Sequence, residues 1–174
     1  PTYADGAATR VAAQSDLLAL GPTRFLVLAR DSNGRGAEAT KSLYRSVLIY
    51  DVSSATNIAG TAYDLAASPV APGGVLAPAV TPATATVLLD LNDPTQLAKF
   101  GLNNGPENDA GTLAEKWEAL ALAPALDPDA PHDWFLFVGN DNDFVTTAGF
   151  QDGQPYRAAF DNDSMVLVFR VTLP

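Results

Sequence analysis

The stretches "RFLVLARDSN" (residues 24–33) and "WFLFVGNDND" (134–143) are two versions of one pattern: an aromatic and aliphatic run that ends in a tail of polar, oxygen-rich side chains. Short apolar runs bounded by turn residues predict buried strands. Gly21 and Pro22 precede the first run, and "DSNGRG" follows it. The flanks repeat as well. "QSDLLALGP" (14–22) matches "KWEALALAP" (116–124) on one side, and "SVLIYDVS" (46–53) matches "MVLVFRVT" (165–172) on the other.

One supersecondary unit therefore occurs twice, in the same order. Each copy is an acidic residue opening a short strand (Asp16, Glu118), a turn, an apolar strand with a polar tail, a loop and a third strand. This comparison decides the stretch 112–124, whose Ala, Leu, Glu and Lys favour helix and whose Thr112 and Glu115 have capping-box spacing. It is expected to be a strand.

Strands are predicted over 24–31, 46–53, 85–91, 134–139 and 164–173. A short helix is expected within "NDPTQLAKFGL" (92–102), where Asn92 or Asp93 caps and Pro94 stands at an early helical position. Residues 66–84, rich in Pro, Ala and Gly, read as a long connection.

Repeated short antiparallel strands that cannot bury their own faces predict an all-β chain of β-propeller blades. The offset of about 100 residues exceeds the roughly 40 to 50 of ordinary blades, so 54–84 and 92–114 are insertions. The first unit completes four strands with "ATVLLDL" (85–91), whereas the second stops at its third. About two blades are present, and the last lacks an outer strand. An N-terminal propeller portion or another chain is expected to supply it, since a bare strand edge is a liability. The chain opens on Pro1 rather than Met, which reads as a processed product or the C-terminal piece of a longer one.

Composition narrows the function classes. Twenty acidic against ten basic residues, a net charge of −10, disfavour nucleic-acid binding, which concentrates Lys and Arg. No cysteine means no disulfide, thiolate zinc site or Cys nucleophile. No apolar run approaches the roughly 18 residues of a membrane-spanning helix.

In a propeller, the start of the innermost strand and the end of the second share one face. Glu118 is then near Asn140, Asp141 and Asp143, and Asp16 near Arg30 and Asp31. Oxygen donors alone suit Ca²⁺ or, second to it, Mg²⁺. For Asn140, Asp141 and Asp143, metal binding competes with plain turn chemistry, in which Asn and Asp cap their own loop. The same turn reading is favoured for "DNDS" (161–164). Glu118 is the candidate general base or metal ligand. Arg30 and Arg45, with Lys116, could hold an anionic group such as phosphate, against the alternative that they pair with the abundant carboxylates. Asp31 and Asp16 complete the ligand-binding candidates. Trp117 is read as packing. His132, the one imidazole, falls in the turn before the second strand, away from these residues, and no G-x-S-x-G elbow accompanies it. "SNGRGAEATKS" (32–42) lacks P-loop spacing and reads as a flexible loop.

The stretches "VAAQSDLLALGPTRFLVLARDSNGRG", "YRSVLIYDVSSATNIAG", "LNDPTQLAKFGLNNG", "LAEKWEALALAP", "FLFVGNDNDF" and "MVLVFRVTLP" resemble, in this order, the C-terminal part of the phytase-like family with esterase-like activity of phytase. The resemblance covers nearly the whole chain. It implies a single propeller domain of which 1–174 is the C-terminal part, exported to the periplasm, cell surface or medium. It also implies hydrolysis of a small-molecule ester or phosphate ester. A non-catalytic propeller that binds a ligand or protein, with calcium as a structural ion, is the competing expectation.

Overall fold

The computed structural model describes residues 1–174, and the chain is mostly β-sheet. In chain order the elements are β1 (Thr2–Asp5), β2 (Ala8–Val11), β3 (Ala13–Ala19), β4 (Arg24–Arg30), β5 (Arg45–Asp51), β6 (Thr84–Asp90), α1 (Pro94–Lys99), β7 (Lys116–Pro124), β8 (Asp133–Asp141), β9 (Gly149–Gln151), β10 (Gln154–Tyr156) and β11 (Val166–Thr172). No helix is long and apolar enough to cross a membrane.

The repeated units become two antiparallel sheets, β3-β4-β5-β6 and β7-β8-β11, so the second does have one strand fewer. The expected helix is a single short one. Asp93 caps it by accepting from the Thr95 amide at 2.8 Å, and Pro94 needs no hydrogen-bond partner at the first position. Two hairpins, β1–β2 and β9–β10, were not foreseen. The first lies over the outer face of the four-stranded sheet, where Tyr3 stacks on Tyr44 with centroids 5.7 Å apart.

A single core joins the two sheets: Leu26, Leu28 and Val47 from one, Trp117, Leu136, Val138, Leu167 and Phe169 from the other, closed by Leu91, Leu97 and Leu113. Burying such side chains stabilises by roughly 1.5–3 kcal/mol each. The sheets present opposite faces to this core. The Arg24 carbonyl accepts from Leu20 and so points toward β3, as those of Leu26 and Leu28 must by alternation. In the second sheet the Asp133 carbonyl accepts from Ala125 and points toward β7. The residues there that correspond to Leu26 and Leu28 are thus Phe137 and Gly139, not the buried Leu136 and Val138. The sheets are stacked in the same sense, the front of one on the back of the other.

This corrects the match drawn from sequence, which set Leu26 level with Leu136 and Asp16 level with Glu118. Both inner strands carry a β-bulge: the register shifts between Gln14 and Asp16 opposite Ala29 and Leu28, and between Trp117 and Ala119 opposite Asn140 and Gly139. The counterpart of Glu118 is therefore Ser15, and these two matches are one residue out, whereas the third, which set Val47 level with Val166, is in register. "RFLVLA" and "WFLFVG" are apolar at consecutive positions, so the two-residue period that normally fixes register gives no signal there.

Candidate functional site

The bulged ends of the two inner strands and the polar tails of β4 and β8 meet along the seam between the sheets. An extra residue bends its strand and re-aims its side chain. Glu118 is that residue in β7, and its Oε1 accepts from Nη2 of Arg30 at the end of β4. The Arg30 side chain is 8% exposed, whereas that of Glu118 is 35% exposed. The cation is sealed and its carboxylate reaches water. Ser15, the matching bulge residue, donates to the Trp117 carbonyl at 2.8 Å.

Arg45 lies directly opposite Arg30 in the β4–β5 ladder, so the two guanidiniums share one face. Arg45 is fully buried. Burial pulls its pKa down to about 10, against the nearby Asp31 charge, so it remains cationic at neutral pH. Its Nη2 donates to the Asn33 carbonyl at 2.8 Å, but Nε and Nη1 have no partner, and neither has Nε of Arg30. No carboxylate forms an ion pair with Arg45. Like-charged neighbours with unfilled donors are costly to bury.

A third arginine, missed from the sequence, belongs to the same seam. Arg35 is buried, stacks over Phe160 at 5.2 Å, and leaves Nε and Nη1 without partners. Its backbone is held by Leu113 and Glu115, so the loop read as flexible is in part pinned. The flanking glycines make this possible. Gly34 has φ +145 and packs so closely that a Cβ would lie 2.7 Å from backbone atoms of Ala114 and Glu115. The only sequence signal was the Gly-Arg-Gly run itself.

Around Glu118 the charges alternate. Lys116 pairs with Asp143 at 2.7 Å, and this pairing raises the lysine pKa. Glu115 is held above the ordinary glutamate range by burial and then by the charge of Asp143.

The other candidates are occupied by the backbone. Asp16 takes the Leu120 and Leu17 amides, tying β3 to β7. Asp31 takes those of Asn33, Leu43 and Tyr44, closing the loop between β4 and β5. Asn140 accepts from Met165 and donates to Asp163. Asp141 accepts from the Asp143 amide at 2.8 Å and Asn142 from that of Phe144 at 3.0 Å, while Asp143 and Phe144 adopt left-handed φ of 53 and 55. The "NDND" tail is thus a self-capped turn. No three acidic or histidine side chains converge to hold a metal ion. As they stand, Asn140, Asp141 and Asp143 each have a protein partner.

Trp117 is completely buried, with its indole donating to Ala114. His132 lines a separate apolar pocket with Leu18, Leu122 and Trp134 at the other end of the strands.

Comparison with known proteins supplies the family. A model described as "Phytase-like: Esterase-like activity of phytase" matches residues 4–144. An uncharacterized secreted protein of Arthroderma benhamiae is 38% identical over 151 residues, covering 82% of this chain and 29% of that protein. The chain therefore spans less than a third of the relative's length. No solved structure matches it. With residues 4–144, most of its length, matched by the family model, the chain belongs to the phytase-like family.

Proposed function

We propose that the chain is part of an exported phytase-like β-propeller whose complete form hydrolyses phosphate or other esters at the seam where Glu118 meets Arg30. Family membership supports the reaction class, and the secreted relative supports export. Same-sense stacking of two sheets supports the propeller, because repetition of one stacking step turns about an axis.

The cross-sheet pair of Glu118 and Arg30 carries the assignment. Water attacks the phosphorus or carbonyl carbon and passes its proton to the Glu118 carboxylate, and the bond to the leaving alcohol breaks. That alcohol takes its proton from solvent. Arg30 orients Glu118 and, with Arg45 behind it, offsets negative charge developing on the ester oxygens. A divalent cation would polarise the ester, Ca²⁺ being a better match than Mg²⁺ for carboxylate oxygens. Asn140, Asp141 and Asp143, now engaged in their turn, would have to exchange those partners to hold the ion.

A second reading has one observation in its favour. Asp16, Asp31, Asn140 and Asp141 are all held by backbone groups, as expected of a propeller that binds a ligand or protein without catalysis. Turnover of p-nitrophenyl phosphate and p-nitrophenyl acetate by the complete polypeptide, with and without a calcium chelator, separates the two. Absence of turnover on both esters leaves the binding module.

A further inference from the structure

The outer edge of the three-stranded sheet is unpaired. Met165 accepts from Asn140 and Leu173 donates to His132, so the odd-numbered residues of β11 serve the ladder with β8. By alternation the N–H and C=O groups of Val166, Val168, Arg170 and Thr172 point away from the sheet. The same edge of the first sheet, outside β5, is filled by the seven residues of β6. Beside the bare edge is a cavity of about 490 Å³ whose wall combines apolar Leu88, Leu89, Phe100 and Val168 with the cationic Lys99 and Arg170.

We infer that the β11 edge is a strand acceptor, filled by an extended antiparallel segment from the part of the longer polypeptide that the relative carries outside the matched region. The inference rests on the same-sense stacking proposed above, but not on catalysis. Four outward backbone pairs select a strand of β6 length, and the cavity, apolar in part but also walled by Lys99 and Arg170, takes aliphatic or acidic side chains at its alternate positions. The relative supplies the length, since this chain covers 29% of it. An edge left open in this way favours aggregation, which gives the acceptor a physical reason to be occupied.

Amide hydrogen exchange on the 174-residue chain and on the gene's complete translation product tests the assignment. The amides of Val166, Val168, Arg170 and Thr172 are expected to exchange at least about a hundredfold more slowly in the longer polypeptide, each such factor of ten being about 1.4 kcal/mol of protection. Val168→Pro removes one outward N–H and leaves the β8 ladder intact. It should abolish that protection while the 174-residue chain keeps its circular dichroism and melting temperature. Equal exchange in both polypeptides overturns the acceptor. Protection of the same amides in the short chain through concentration-dependent dimerisation overturns the stated occupant and assigns the edge to a second copy. Neither readout depends on ester turnover, so failure of the hydrolase reading is registered separately.

Discussion

Glu118, the extra residue of the β7 bulge, accepts a hydrogen bond from Arg30, the last residue of β4, across the seam between the two sheets. Everything proposed for this region depends on the asymmetry of that pair, a buried cation held by a carboxylate that still touches water.

The asymmetry predicts unequal effects of removing the partners. Glu118→Gln leaves a buried guanidinium without a counter-charge and should cost about 2 kcal/mol, below the 3–5 of a fully buried pair because the carboxylate is a third exposed. Arg30→Met leaves a solvated glutamate and should cost less. The double variant should recover part of the Glu118→Gln loss. Urea unfolding of the three proteins checks the order, and equal losses for the two single variants would show that burial does not govern the pair.

Gly34 holds the loop that carries Arg35 against Ala114 and Glu115, the segment leading into β7. Ala at 34 has no room, so Gly34→Ala should destabilise by about 2–4 kcal/mol, as expected of a substitution that combines backbone strain with a steric clash. Gly60→Ala is the control, since a Cβ there meets nothing although φ is also positive, +73. Comparable losses at the two positions would mean that the close approach to Ala114 is unimportant.

Much of this was legible beforehand. The apolar runs at β4, β5, β6, β8 and β11 announced themselves, and repetition turned the helix-like "EKWEALAL" into β7. The seam was legible only in outline. Glu118 was found through its likeness to Asp16, yet the bulge gives Glu118 another counterpart, Ser15, and leaves Asp16 holding backbone amides. A bulge adds one residue without a compositional mark, so it cannot be read from alternation. The β9–β10 hairpin did carry a signal, since Asp152-Gly153 adopts the two left-handed φ values of a tight hairpin turn. Nothing comparable marked Arg35, whose burial depends on a long-range bridge to Ala114.

Stability should fall in acid through a specific bridge. Arg170 donates to both Asp127 and Asp133; its hydrogen bond at Asp127, and at Asp133 that of Thr172 followed by that of Arg170, hold both carboxyls below the usual aspartate range. A depressed folded-state pKa gives stability that is present above the unfolded value, about 3.9, and lost as pH falls through the folded value. Arg170→Met should flatten the loss of melting temperature below about pH 4. An unchanged slope would remove the bridge as its cause. Glu115, shifted the other way, acts with opposite sign. Its ionised form is disfavoured by folding, so Glu115→Gln should raise the melting temperature at pH 7 and not at pH 3.

Calcium provides an independent check on the turn at 140–144. With Asn140, Asp141 and Asp143 already engaged, calcium should leave the melting temperature of the 174-residue chain unchanged, since a ligand stabilises only when it binds the folded state. A rise abolished by Asp141→Ala would show that these residues open to form a cage.

The most direct measurement is kcat on a chromogenic phosphate ester for the complete polypeptide and its Glu118→Gln and Arg30→Lys variants, each shown to be folded at the assay temperature. Loss of a general base predicts a fall of about 10²–10⁴-fold for Glu118→Gln, with a smaller fall for Arg30→Lys, which keeps the charge but not the fork that orients Glu118. Turnover that persists undiminished in a folded Glu118→Gln protein would contradict the assignment of the seam as the site of hydrolysis.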